Sequence, residues 1–378
     1  MSRWFALLIV LALLSASGIA QDAPPTPPAA LSIFRGDPAR TGANEEADGL
    51  REAPRLAWSF PVRRPVRSTP AIAGDLAYIG DEDGRLYAID ITSAERVWER
   101  DTNAPIVSTP AISEGVLYVG GLDQFVYALD ASTGDTLWNA FTGGQVYSSP
   151  VIDAEAVYIG SLDGKIYALD RLTGERLWAY DTNEQIWSSP ALADGVVYVG
   201  NRDGALLALA ASDGALLWRF RADDAIDATP AIADGVVYVG AYDGQFYALD
   251  AEDGTRLWSF AAGSPVYASA AVGEALVYVT AYEGDLYALD RATGAQVWAQ
   301  RVGRVAYSSP TLVGDVVYAL GEGEGKLYAF DAATGAPLWE VVTGREGDYR
   351  SSSPVWAGDT LYIGSNTEGL LAYRADGQ

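Results

Sequence analysis

Tryptophan returns every 40 residues along this chain. Trp58, Trp98, Trp138, Trp178, Trp218, Trp258 and Trp298 keep that spacing, and Trp339 follows after one inserted residue. A second series runs through Pro70, Pro110, Pro150, Pro190, Pro230 and Pro310, with Ala270 in the gap and Pro354 at the end. A third comprises Tyr78, Tyr118, Tyr158, Tyr198, Tyr238, Tyr278, Tyr318 and Tyr362. Three registers on one period define eight copies of a unit. A fixed period of this length means a repeat architecture.

Residues 108–140 show the unit's content. STPAI, GVLYVG, FVYALD and TLWNAF are short runs rich in β-branched and aromatic residues, each read as a strand. The second and third are joined in most copies by x-D-G, as at Asp83-Gly84, Asp163-Gly164, Asp203-Gly204 and Asp243-Gly244. That pair suits a hairpin turn with positive φ. The third and fourth are joined by D-x-x-T-G, as in Asp130–Gly134, where the Asp side chain bonds its own turn. Period-2 alternation excludes a helical solenoid. Four antiparallel strands per copy predict an all-β, eight-bladed β-propeller of four-stranded antiparallel blades. The strand around Trp58 (Leu56 to Phe60) precedes any other strand, and the last copy stops after its third, at Leu370–Arg374. The N-terminal strand is therefore expected to complete the last blade and leave no free edge there.

Composition removes whole classes of chemistry. The chain has no Cys and no His, which excludes disulfides, thiolate nucleophiles, histidine bases and histidine-held metals. Remaining chemistry rests on carboxylates, Tyr, Arg, a bound cofactor or an oxygen-ligated ion such as calcium. The net charge of -25 repels phosphate backbones and anionic lipid, so no nucleic acid and no membrane surface is expected as partner.

Residues 1–20 carry Arg3, an apolar run from Phe5 to Leu14 and small residues from Ala16 to Ala20. They read as a signal peptide cleaved after Ala20. An uncleaved anchor is the competing reading, although the run is short for a span. Without cysteine there is no site for a lipid anchor. The expected product is exported, periplasmic or extracellular, and monomeric. Residues 21–50 read as a proline-rich spacer and lead-in, and residues 51–378 as a single propeller.

The motif A-x-D-x-x-T-G-x-x-x-W, as in Ala128, Asp130, Thr133, Gly134 and Trp138, resembles the tryptophan-docking motif of quinoprotein-type (PQQ-like repeat) propellers. Its Ala, Asp, Gly and Trp positions recur at Trp178, Trp258, Trp298 and Trp339. Ala94 replaces the glycine before Trp98, and Ala210 the aspartate before Trp218. The resemblance implies that each of the eight Trp residues docks on the neighbouring blade. Phe34 to Gly42 (FRGDPARTG) also looks like the lead-in of such proteins. The family includes PQQ-dependent dehydrogenases and BamB-like outer-membrane assembly factors, which use no cofactor. The dehydrogenases are longer, with blade insertions and usually a vicinal cysteine pair over the quinone. The economy of these blades resembles the BamB type, and the missing lipidated cysteine departs from it.

Within the repeat, one column varies amid fixed neighbours: Arg67, Val107, Tyr147, Trp187, Asp227, Tyr267, Tyr307 and Ser351. It precedes the innermost strands and should ring one mouth of the channel. Insertions at Gly321–Gly325 and Gly344–Arg350 fall on the same face, and loop variation on a rigid scaffold hints at function. Arg63, Arg64, Arg67, Arg304, Arg345 and Arg350 gather near this mouth, where Arg suits carboxylate recognition. Asp223, Asp224 and Asp227 form its densest carboxylate cluster.

The bland alternatives are that the aromatic residues merely plug the channel and that the acids are a solvated loop. Three functions follow. The first is a non-catalytic scaffold with no cofactor, binding a protein or peptide at the ring of Arg67, Tyr147, Trp187, Asp227, Tyr267, Tyr307, Arg304 and Arg350. The second is a dehydrogenase or sensor holding PQQ with Ca2+, with Trp187 as platform and Asp227 near calcium. The third, a carbohydrate binder or carboxylate hydrolase, lacks a positioned acid pair.

Overall fold

The computed structural model describes residues 32–345 and 352–375. The expected signal peptide and the first part of the spacer lie outside these residues, as do Arg350 and Ser351. The described residues form eight sheets, each with four antiparallel strands of the propeller. Blade 1 comprises Ala71–Ala73, Leu76–Gly80, Arg85–Asp90 and Arg96–Asp101, and its pattern repeats around the ring. In each blade the second and third strands are buried on both faces, because neighbouring blades cover both. Their apolar runs are therefore continuous, whereas an outermost strand such as Arg256–Ala261 alternates between exposed and half-buried. Blade 8 comprises Val355–Ala357, Thr360–Ser365, Gly369–Arg374 and the N-terminal strand Arg55–Phe60. Leu56 pairs with Tyr373, and Phe60 with Leu370. The chain ends thus share one sheet, as expected.

Blades are clasped to one another at a single kind of joint. Trp98 Nε1 of blade 1 donates to the Ala131 carbonyl in the turn of blade 2 at 2.9 Å, and Tyr78 Oη donates to the same oxygen at 3.1 Å. Trp138 and Tyr118 meet in the same way on Arg171 O, Trp178 and Tyr158 on Ala211 O, and Trp298 and Tyr278 on Ala332 O. The indole lies flat on the turn glycine. A Cβ built on Gly134 would stand 2.8 Å from the Trp98 ring, and φ there is +76°. Ala94, where the other copies have glycine, adopts the same left-handed conformation at φ 58°.

The seam uses a substitute. Blade 8 has no fourth-strand turn of its own to offer blade 7, and Leu50 stands in for it. Trp339 Nε1 donates to Leu50 O at 2.7 Å, and Leu50 N donates to Tyr318 Oη at 2.5 Å. On the other side, Trp58 Nε1 closes onto Ile91 O of blade 1 at 3.0 Å. A second belt runs round the channel. Thr69 N donates to Thr109 Oγ1, Thr109 N to Ser149 Oγ, Ser309 N to Ser353 Oγ, and Ser353 N back to Thr69 Oγ1. The hydroxyls of Thr69, Thr109, Ser149 and Ser353, each just before a proline, are thereby committed to the scaffold.

Residues 32–44 lie inside the ring. Ser32 exchanges both main-chain bonds with Ile112, and the Pro38, Ala39, Thr41 and Gly42 carbonyls accept from Leu192, Ile232, Val272 and Leu312. Ala43–Asn44 adds a parallel strand beside Thr311–Val313. Arg40 is 0% exposed and donates to the carbonyls of Pro190, Pro150, Ser149 and Phe34. Arg35 donates to Ala270 O at 2.7 Å. Burial lowers Arg40 to about 9 and Arg35 to about 10, values that keep both guanidiniums charged at neutral pH. The segment fills one end of the channel by satisfying inner-strand edges that would otherwise be unpaired.

The joint makes a specific prediction. Gly214 and Gly195 have nearly the same φ, +73° and +74°, but only Gly214 lies against an indole, with a built Cβ 2.7 Å from Trp178. Both Gly→Ala changes cost about 1–2 kcal/mol for the left-handed backbone. Gly214→Ala should cost about 1–3 kcal/mol more from overpacking. Denaturant unfolding of the two variants measures the difference; equal losses would show that the indole does not depend on this contact.

Candidate functional site

The varying column and the loops between second and third strands meet at the mouth opposite the channel-filling segment. Each loop is tied to the stretch before the innermost strand of its own blade, as where Arg202 N donates to Gln185 O and Tyr242 N to Ala225 O. Two sets of side chains are thus brought together. Tyr147 stacks on Trp187 at 4.2 Å. The Arg202 guanidinium lies 4.8 Å from the Trp187 ring and 5.2 Å from Tyr242. Tyr242 meets Tyr267 edge-on at 4.4 Å, and Tyr267 stacks on Tyr307 at 5.5 Å. Tyr282 closes the group, 5.4 Å from both Tyr267 and Tyr307. The result is a continuous aromatic arc over blades 3 to 7.

Asp227 sits at the middle of this arc. It accepts from Tyr242 Oη at 2.6 Å and pairs with Arg202 at 2.9 Å. Asp227 Oδ1 and Arg202 Nε are buried and have no hydrogen-bond partner among the described residues. Burial pushes the Asp227 carboxyl above its ordinary range, opposed by the Tyr242 hydrogen bond and the Arg202 charge. A polar groove of about 440 Å³, lined by Asp203, Arg221, Asp223 and Asp224, leads outward from Arg202.

The structure sorts the sequence-derived site residues. Tyr147, Trp187, Asp227, Tyr267 and Tyr307 form one surface, and they are half-buried to exposed, with Tyr307 41% exposed. They are not a buried core; the opposite end is filled by residues 32–44. Arg67 pairs with Glu82 away from the arc, and Val107 is half-buried in blade 2. Arg64 pairs with Asp83 at 3.0 Å and Arg345 with Glu368 at 3.7 Å, so these mouth cations face acids of the same rim. Arg304 is exposed. Asp223 and Asp224 line one groove, where Asp224 accepts from Ala225 N and Asp223 N donates to Asp243, while Asp227 is engaged by Tyr242 and Arg202. Among the described residues, no cluster of three carboxylates that could hold a metal is found.

Arg202, Tyr242 and Tyr282 were missed by the single-column reading. Their signal was a second varying column, four residues after each Tyr of the third series: Glu82, Leu122, Leu162, Arg202, Tyr242, Tyr282, Glu322 and Asn366. The insertion in blade 7 also has a structural use. It buries Glu322, whose Oε1 accepts from Tyr307 N and Ser308 N at 2.8 and 2.9 Å.

Ring, joints and mouth define a PQQ-like repeat propeller. The sequence profile described as outer membrane protein assembly factor BamB matches residues 50–111, 104–189, 163–270 and 262–378, and the chain belongs to that family. No curated protein sequence matches it significantly. Among solved structures, BamB from Moraxella catarrhalis is 20% identical, with TM-score 0.72, over 85% of this chain and 100% of that one. Quinohemoprotein alcohol dehydrogenase from Comamonas testosteroni is 17% identical, with TM-score 0.75, over 92% of this chain and 80% of that one. A europium-containing methanol dehydrogenase is 16% identical, with TM-score 0.75, over 90% and 97%. At such identities the likeness concerns the fold.

The raised Asp227 carboxyl gives a signed pH dependence. A carboxyl that binds its proton more tightly when folded contributes stability at low pH that is lost as pH rises from its unfolded value, about 3.9. Wild type should therefore lose stability relative to Asp227→Asn as pH increases from about 4. Paired melting curves across that range check the sign; a wild type that gains on the variant with rising pH would contradict it.

Proposed function

We propose that this chain is an exported, non-catalytic scaffold of the BamB type that binds a protein or peptide partner at its aromatic mouth. The observation that carries the reading is the arc from Tyr147 to Tyr307, an accessible aromatic band on a rigid ring. Tyr, Trp and Arg dominate the energetics of protein interfaces, because each combines large apolar area with a polar handle. The arc is preorganised by its own stacking, so little side-chain freedom is lost on binding. An exported monomer with no nucleic-acid or lipid partner agrees with the acidic surface.

The quinoprotein neighbours favour a second reading, in which the mouth holds PQQ and Ca2+. The residues do not fit that group well. Trp187, the flat platform it would need, is stacked against Tyr147 and covered by Arg202. Asp227, the candidate calcium ligand, is engaged by Arg202 and Tyr242.

A photo-crosslinking side chain at Tyr307 should capture a discrete envelope protein in living cells, and Trp187→Ala should reduce that adduct. The same probe at Leu217, exposed on an outermost strand, serves as control; equal or absent adducts would refute the mouth as the binding face. A PQQ and Ca2+ titration separates the alternatives. Binding at a hundredfold excess over Kd would stabilise the fold by about 2.7 kcal/mol, and no change is expected.

A further inference from the structure

Among the described residues, the channel-filling segment does not pair with every blade. Its main chain pairs with the innermost strands of blades 2, 4, 5, 6 and 7, and the Arg40 side chain holds blade 3 through Ser149 O and Pro150 O. Among the described residues, it makes no hydrogen bond to blades 8 and 1, which are adjacent. In blade 2 the inward-facing residue is Ile112, opposite Leu117, and both its N–H and its C=O meet Ser32. The same register places Ile72 opposite Ala77 and Trp356 opposite Leu361. Ile72 and Trp356 therefore direct the same two groups into the channel, and no main-chain partner meets them there among the described residues. A buried or half-buried strand edge of this kind is a template for another extended chain.

Beside it lies a cavity of about 670 Å³, bounded by the channel segment, Thr69, Thr311 and Ser353–Trp356. Its charges are divided. Arg35 lines it at 7% exposure, and its buried Nε has no hydrogen-bond partner among the described residues. Asp37, Glu45, Glu46, Asp234 and Glu274 also line it, as does Arg291, whose charge is taken up by Asp234 at 2.6 Å. One buried guanidinium favours one carboxylate, and the surrounding acids oppose any further negative charge.

We propose that this cavity is a second binding site, distinct from the aromatic mouth, which takes an extended peptide ending in a free α-carboxylate. The carboxylate meets Arg35, and the peptide main chain pairs with Ile72 and Trp356, continuing round the ring the mode of binding that residues 32–44 already use. The ligand body is uncharged or basic, in keeping with the acids beside it. This site does not depend on the mouth being the protein-binding face.

The probe is a six-residue peptide of alternating valine and serine with a free C-terminus, compared with its C-terminal amide. Hydrogen exchange of the full chain should slow at residues 70–74 and 354–358 with the free acid, and the amide should bind about tenfold more weakly or worse. Ile72→Pro and Trp356→Pro each remove one inward N–H that the blade's own ladder does not use, at an edge position that accepts proline. Each should weaken binding about tenfold with little change in Tm, whereas Trp187→Ala at the mouth should leave it unchanged. Should a proline variant fail to fold, Val355→Trp occupies the cavity instead and should abolish binding. Equal binding of acid and amide, slowed exchange confined to other strands, or no binding at millimolar peptide would overturn the proposal.

Discussion

The indole-to-carbonyl joint between blades is the contact on which the rest of this molecule depends. A four-stranded sheet with two apolar faces is not stable in water by itself, and each blade is covered only by its neighbours. The Trp Nε1 bond is worth about 1 kcal/mol, and the indole adds buried aromatic area over the turn glycine. Repetition multiplies that modest sum around the ring. Closure matters for the same reason: with Arg55–Phe60 paired to Gly369–Arg374, blade 8 gains its fourth strand and covers the faces of blades 7 and 1.

A rigid ring allows its two ends to differ. At one end, residues 32–44 turn inward and meet the inner strand edges, with Arg40 reaching carbonyls of two blades and of the segment itself through one planar fork. At the other, side chains free of scaffold duty stack into an arc. The hydroxyl belt and the proline column between these ends are the same in nearly every blade, so the functional variation is confined to positions just before and just beyond them.

The architecture was legible because its determinants recur. Eight copies of one Trp and one Tyr, with a recurring turn between the second and third strands, reveal strand order, blade count and closure without any tertiary information. What did not recur was hard to read. Phe34 to Gly42 occurs once, and its partners are main-chain groups on five blades, so no spacing betrays that Arg40 is buried. Trp187, Asp227 and the tyrosines at 147, 267 and 307 stood out as one irregular column. Arg202, Tyr242 and Tyr282 are hidden in the sequence because each stands beside an acid and a glycine whose turn chemistry accounts for the loop by itself. The Asp-Gly turns do carry that chemistry, as where Asp163 accepts from Lys165 N and Tyr167 Oη. The residue just before them is the one that varies. Leu50 could not be foreseen as a stand-in turn, since it acts only because the chain ends meet in blade 8.

Exchange of the indole Nε1 protons tests the closed ring most directly. Trp58, Trp98, Trp138, Trp178, Trp218, Trp258, Trp298 and Trp339 each donate to a neighbouring carbonyl. A ring held by equivalent joints predicts slow exchange of all eight with one common opening free energy, while the indole of Trp187 at the mouth exchanges fast. Early exchange of Trp58 and Trp339 ahead of the other six would mean that the seam opens by itself, and would contradict a ring that stands or falls as one unit.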